Sequence, residues 1–123
     1  MGKTVAIIGA SADRTRFANK AVRAFVHQGY TVIPIHPKET VVEGLTAYKS
    51  VADVPGPIDM ASLYVPPTVG ERVIEELARK GIVEVWLNPG AESPELVAKA
   101  RSLGLTPIVA CSIVGIGESP YSY

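Results

Sequence analysis

Thr4-Val5-Ala6-Ile7-Ile8-Gly9-Ala10-Ser11 decides how the rest of the chain is read. An apolar, largely β-branched run enters a glycine and a small polar loop without any polar residue alternating along it. Such a run predicts a strand covered on both faces, the condition of a parallel sheet, rather than one with a wet face. Similar short runs recur at Tyr30–Ile35, Met60–Val65, Val83–Leu87 and Thr106–Val109.

The segments between them carry helical periodicity. Val22, Phe25 and Val26 give one face to a helix that begins between residues 16 and 20 and ends at Gly29. Thr68 with Glu71 three residues on reads as a capping box. Val69, Val73, Ile74 and Leu77 then share a face, with Glu75/Arg79 and Glu76/Lys80 paired outside, up to Gly81. Ser93-Pro94 reads as an N-cap with proline in the first turn, followed by Leu96, Val97, Ala100 and Leu103 before Gly104. Each helix thus ends in a glycine that is followed within one or two residues by a strand, the αβ half of a βα repeat.

Residues 36–58, rich in proline and glycine, break this rhythm and predict a short edge strand and a helical turn around Ser50-Val51-Ala52-Asp53. The order β-α-β-(irregular)-β-α-β-α-β predicts a single domain over residues 1–123. Its fold is a doubly wound, Rossmann-like parallel sheet of about five strands with helices on both faces.

Composition narrows the function classes. Of 123 residues, 47% are hydrophobic, enough for a substantial core. Twelve basic residues balance twelve acidic ones, so the chain as a whole has no field to draw it to nucleic acid or to an anionic membrane. No apolar run approaches the roughly 20 residues of a membrane helix. The start, Met1-Gly2-Lys3-Thr4-Val5-Ala6, has too short an apolar patch for a signal peptide and Ala6 where myristoylation requires Ser or Thr. A single cysteine, Cys111, makes no internal disulfide and suits a reducing compartment, so a soluble, cytoplasmic protein is expected. H-E-x-x-H, G-x-S-x-G, P-loop and paired-cysteine patterns are absent.

In a doubly wound sheet ligands gather at the carboxyl ends of the strands, near the point where strand order reverses. The first strand ends in Gly9, Ala10 and Ser11, followed by Arg14 and Arg16 before a helix: the parts of a phosphate cradle. A dinucleotide fingerprint would place glycines where Ser11 and Arg14 stand. The second strand ends in His36-Pro37-Lys38 instead of the acid that binds the ribose diol of NAD, and Lys38 suits a ribose phosphate. Residues 1–40 hold six basic against two acidic residues, consistent with an anion-binding edge. The third long run ends in Tyr64-Val65-Pro66-Pro67, which reads equally as an apolar shelf for a flat base or as a plain strand end. Cys111 reads either as a buried, inert thiol or as one placed to meet a ligand thiol. Glu75-Glu76 reads as a solvated helix face, and Trp86 as packed under a helix.

Val5–Ser11 with Arg14 and Arg16, Gly29–Pro37, Tyr64–Pro67, Val85–Ala91 and Cys111, taken in order, resemble the small stand-alone CoA-binding domain proteins. These are related to the CoA-binding N-terminal domain of the succinyl-CoA synthetase alpha subunit. The resemblance implies coenzyme A as ligand. It implies that Gly9, Ala10, Ser11, Arg14 and Arg16 hold its phosphates, that Pro37 and Lys38 meet the 3′-phosphorylated ribose, that Tyr64, Val65 and Pro66 lie beside the adenine, and that Asn88 belongs to a further lining turn. His36 replaces the asparagine common in the stand-alone relatives. It does not imply ligase chemistry, since the synthetase uses a phosphorylated histidine in a second domain, and His27 and His36 are the only histidines here.

Two functions follow. One is a non-catalytic CoA or acyl-CoA binder that serves as carrier, sensor or docking module. The other is an NADP-dependent Rossmann-type oxidoreductase or redox sensor. The apolar start of the tail, Ser112–Ile116, suits packing on the sheet, against a second copy in a homodimer, or against an unknown protein partner.

Overall fold

The computed structural model describes residues 3–123; Met1 and Gly2, the head of the segment read above for targeting signals, lie outside the described residues. Strands β1 (Thr4–Ile8), β2 (Thr31–Ile35), β5 (Met60–Leu63), β6 (Glu84–Leu87) and β7 (Thr106–Val109) form one parallel sheet in the order β2-β1-β5-β6-β7. Val5 pairs with Val32 on one side and with Met60 on the other, so the chain leaves β1 toward one edge and returns to start again on the opposite side. The reversal of order, and with it the expected crevice, lies between β1 and β5.

Helices cover both faces, and the alternation of side chains along β1 shows how. Val5 and Ile7 join a core with Val22 and Phe25 of α1 (Phe17–His27) and with Ile113 of α4 (Ser112–Gly115). Ala6 and Ile8 face the other core, with Ile74 and Leu77 of α2 (Pro67–Lys80) and Leu96 of α3 (Pro94–Ser102). This is the doubly wound sheet that the sequence predicts. The tail packs on this sheet through Ile113, and Trp86 lies under α4, its ring against Gly115. Among the described residues no helix is long and apolar enough to cross a membrane.

Several local expectations are corrected. α2 begins at Pro67 with Pro66 in the cap position, so Thr68 lies inside the first turn and makes no capping hydrogen bond. The acids of α2 do not pair along their own helix. Glu75 meets Lys99 of α3 at 2.9 Å, Glu76 accepts a hydrogen bond from the Ser50 hydroxyl at 2.7 Å, and Lys80 donates to the Val54 carbonyl. Val26 is exposed, because the packed stripe of α1 runs through Ala18, Ala21, Val22 and Phe25. β7 is an edge strand with Val109 half exposed, so coverage on both faces stops short of it. His27, at the end of α1, has its Nδ1 3.1 Å from the Tyr123 hydroxyl and 3.3 Å from Glu118.

The irregular segment contains more order than expected. β3 (Val41–Val42) and β4 (Leu45–Thr46) form an antiparallel hairpin closed by Glu43 and Gly44, both at positive φ, as a tight primed turn requires. A 3₁₀ turn at Val51–Asp53 follows, capped by the Ser50 side chain. Tyr48 bridges to Ile35 and donates its N–H to the Pro34 carbonyl, which ties the segment to the edge of β2.

Both edges of the sheet carry a proline whose nitrogen faces outward. Thr106 and Ala110 donate N–H groups toward β6, which turns Pro107 to the open side; Ile35 accepts from Gly9 on the β1 side, which turns Pro34 away. Each edge therefore lacks a donor at its centre.

Candidate functional site

At the reversal point Gly9 and Val65 meet. Gly9 has φ +83°, and a β-carbon there would lie 2.8 Å from both the Tyr64 carbonyl oxygen and Val65 Cγ1. Only glycine tolerates both conditions, so the strand-end glycine serves a close approach of two backbones. The Gly9–Val65 contact forms a ridge with a cavity on each side.

The larger cavity, about 470 Å³, is lined by Gly9, Arg16, Tyr64, Val65, Pro66 and Asn88 of the predicted residues, together with Phe17, Ala18, Pro89, Gly90, Ala91 and Cys111. The smaller, about 240 Å³, has Ile8, Gly9, Ile35, Val65, Val69 and Val73 as apolar lining and Pro37, Lys49, Arg72 and Glu76 around them. The geometry thus gathers Gly9, Arg16, Pro37, Tyr64, Val65, Pro66 and Asn88. Ala10, Ser11, Arg14, His36 and Lys38 line neither cavity.

The reasons are local. The amides of Gly9 and Ala10 both donate to the Ile35 carbonyl, at 3.0 and 3.1 Å, and Ala10 is fully buried. The expected phosphate cradle therefore has these two donors already engaged, whereas the Ser11 and Ala12 amides meet no acceptor among the described residues. The Ser11 hydroxyl accepts from the Asp13 amide, and Asp13 in turn holds Thr15 through its side chain and its amide, which lowers the Asp13 carboxyl below its usual range. Arg14 lies 3.4 Å from Glu43 of the hairpin, while Arg16 points toward the larger cavity with only a 3.9 Å approach to Asp13. The His36 ring accepts the Lys38 and Glu39 amides at 3.0 and 2.9 Å, so it caps its own turn. Lys38 stands exposed beyond it.

Asn88 borders the larger cavity with its side chain fully engaged. Its Nδ2 donates to the Ser62 hydroxyl and the Leu63 carbonyl, each at 2.8 Å, and its Oδ1 accepts the Ser112 amide at 2.9 Å. Ser62 and Ser112 share a hydrogen bond at 2.7 Å, and the Tyr64 hydroxyl lies 3.3 Å from Ser112. Burial pushes the Tyr64 phenol up to about 12. This polar knot joins β5, β6 and α4 beneath the cavity floor.

Lys49 and Arg72 went unnoticed in the sequence. For Arg72 the signal was present: Val69, Arg72, Val73 and Glu76 follow the i, i+3, i+4, i+7 spacing of one helix face. For Lys49 there was none, because its place depends on Tyr48 pairing with Ile35 across the chain. Among the described residues no group of acids, histidines and cysteine is placed to hold a metal ion.

A parallel sheet whose order reverses at a glycine, with cavities on both sides of that glycine, defines an α/β domain of the nucleotide-cofactor type. More narrowly, the family model for the CoA binding domain matches residues 3–116, and the chain belongs to that family. The alpha subunit of acetate–CoA ligase (ADP-forming) II from Pyrococcus furiosus is 31% identical over 91% of this chain, which spans only 27% of that subunit. The uncharacterized protein YneT of Bacillus subtilis is 25% identical over 87% of this chain and 79% of its own length. Among solved structures, a hypothetical protein from Pyrococcus horikoshii superimposes with a TM-score of 0.83 at 34% identity, covering 89% of this chain and 76% of the other. Dinucleotide-forming acetyl-coenzyme A synthetase 1 from Ca. Korarchaeum cryptofilum gives 0.76 at 26% identity, over 88% of this chain and 26% of the synthetase.

Proposed function

We propose that residues 1–123 form one CoA-binding domain that holds coenzyme A or an acyl-CoA across the Gly9–Val65 ridge. The pyrophosphate lies over the ridge, the adenosine in the smaller cavity beside Val65 and Pro37, and the pantetheine in the larger one beside Arg16, Tyr64, Pro66 and Asn88. The observation that carries this reading is the pair of cavities meeting at one glycine without room for a β-carbon, which suits a long, bent, phosphate-centred ligand. The Ser11 and Ala12 amides and Arg16 supply donors for the phosphates.

The chain acts as a cytoplasmic carrier, sensor or docking module, alone, as a homodimer or with another protein. In the larger cavity the Asn88 side chain is engaged in the knot below, which supports a structural rather than a reacting role for it. The CoA ligases among its relatives are much longer than this chain, which supports a docking role. The relatives also favour this reading over an NADP-dependent oxidoreductase.

Calorimetry with coenzyme A, dephospho-coenzyme A, NAD and NADP tests the proposal. Coenzyme A is expected to bind most tightly; equal, weak binding of all four overturns it.

A further inference from the structure

Under the loop of residues 11–16, α1 presents Asn19 and Arg23, one turn apart on one face. We propose that these two are positioning residues, which hold the loop from below so that the Ala12 N–H is aimed at the phosphates of the bound ligand. This rests on the chain's being a coenzyme A binder.

Asn19 is fully buried, and its amide hydrogens and its carbonyl oxygen are all engaged. Nδ2 donates to the Ser11 carbonyl at 2.9 Å and to Glu43 at 3.0 Å, and Oδ1 accepts from Arg23 Nε at 2.7 Å. The other prong of Arg23, Nη2, donates to the Arg14 carbonyl at 2.8 Å, and the Tyr123 ring lies 5.6 Å from the guanidinium carbon. In a planar trans peptide the C=O and the N–H that follows it point in opposite directions. Drawing the Ser11 carbonyl down onto α1 therefore turns the Ala12 N–H outward, on an exposed residue, where it meets no acceptor among the described residues. The same constraint at Arg14 leaves the Thr15 N–H to Asp13. Both nearby acids thus have donors of their own: Asp13 holds Thr15, and Glu43 lies between Asn19 and Arg14. Arg23 is in no ion pair among the described residues, so its positive charge under the loop also favours an anion above it.

The experiment is titration of the isotope-labelled full chain with coenzyme A, read both as affinity and as the amide proton shift of Ala12 at saturation. The natural sequence is compared with Asn19→Ala, Arg23→Met and Arg23→Lys. In the natural chain the Ala12 amide is expected to move downfield as it gains a charged acceptor. Asn19→Ala and Arg23→Met should each weaken coenzyme A roughly five- to tenfold, as for one phosphate hydrogen bond, and should lose most of that movement. Arg23→Lys keeps the charge but cannot fork between Asn19 and the Arg14 carbonyl, so it should recover less than half of the affinity. An affinity of Asn19→Ala within about twofold of the natural chain overturns the assignment. So does weakened binding with the Ala12 movement intact, full recovery in Arg23→Lys, or a natural chain that binds coenzyme A while its Ala12 amide stays still. Absence of coenzyme A binding by the natural chain instead overturns the function proposed above. Asn19→Asp, which keeps the shape and the bond to Arg23 but not the donor, and Arg23→Gln replace any variant that fails to fold, with the same outcomes.

Discussion

Asn88 Oδ1 accepts the backbone N–H of Ser112 at 2.9 Å, while the amide nitrogen of the same side chain holds Ser62 and Leu63. Three elements meet at this one side chain, and none of its partners reaches water. Asn88→Ala strands a buried donor and two acceptors and is expected to destabilise the fold by about 2–4 kcal/mol. Denaturant unfolding measures it. A loss below about 0.5 kcal/mol would mean that the knot contributes no net stability.

Gly9→Ala combines a positive φ with a β-carbon 2.8 Å from backbone oxygen and Val65. Strain and overpacking together are expected to cost about 2–4 kcal/mol. The ridge also shifts, so coenzyme A affinity should fall along with stability. A variant of natural stability and affinity would show that the two strand ends separate freely.

Gly115→Ala drives a methyl group to 2.6 Å from the ring of Trp86. Destabilisation of about 1–3 kcal/mol is expected. Trp86 is the only tryptophan, so its emission should also shift as α4 lifts from the sheet. An unmoved spectrum would place the strain elsewhere.

Arg14 and Arg16 should separate on titration with coenzyme A. Arg16 lines the larger cavity, whereas Arg14 is turned toward Glu43. Arg16→Ala is expected to weaken binding by about 1–2 kcal/mol and Arg14→Ala by less than half of that. The reverse order would move the phosphates toward the hairpin.

The Tyr64 phenol, raised by burial to about 12 from 10.0, stays protonated in the fold at pH values where the unfolded chain has already lost the proton. Its contribution is complete below about pH 10 and declines as pH climbs toward 12, by an amount on the order of 2 kcal/mol. Tyr64→Phe should lessen the steepness of this alkaline loss. Parallel stability curves for variant and natural chain between pH 9 and 12 would contradict the assignment.

How much of this was legible before the structure differs between backbone and site. The sheet and its helices followed from apolar runs and terminal glycines, because burial on both faces leaves no room for other patterns. The hairpin at Val41–Thr46 was not legible, since two-residue strands carry no periodicity. Thr68 matched a capping pattern, but Pro66-Pro67 fixes the chain one step earlier. At the site, Gly9 and Val65 could be read from their strand ends. The engagement of the Ala10 amide, the His36 ring and Asn88 depends on partners at Ile35, Glu39 and Ser112 that only the fold supplies.

Pro34 and Pro107 have a consequence for life among other polypeptides. A stranger strand arriving at the β7 flank finds the imino nitrogen of Pro107 with nothing to offer, and at the β2 flank it finds Tyr48 already hydrogen-bonded across Pro34, so lateral templating of the kind that seeds fibrils is disfavoured at both. Recognition of this molecule by its neighbours falls to side chains, and those are far easier to tune by single substitutions than a main chain would be.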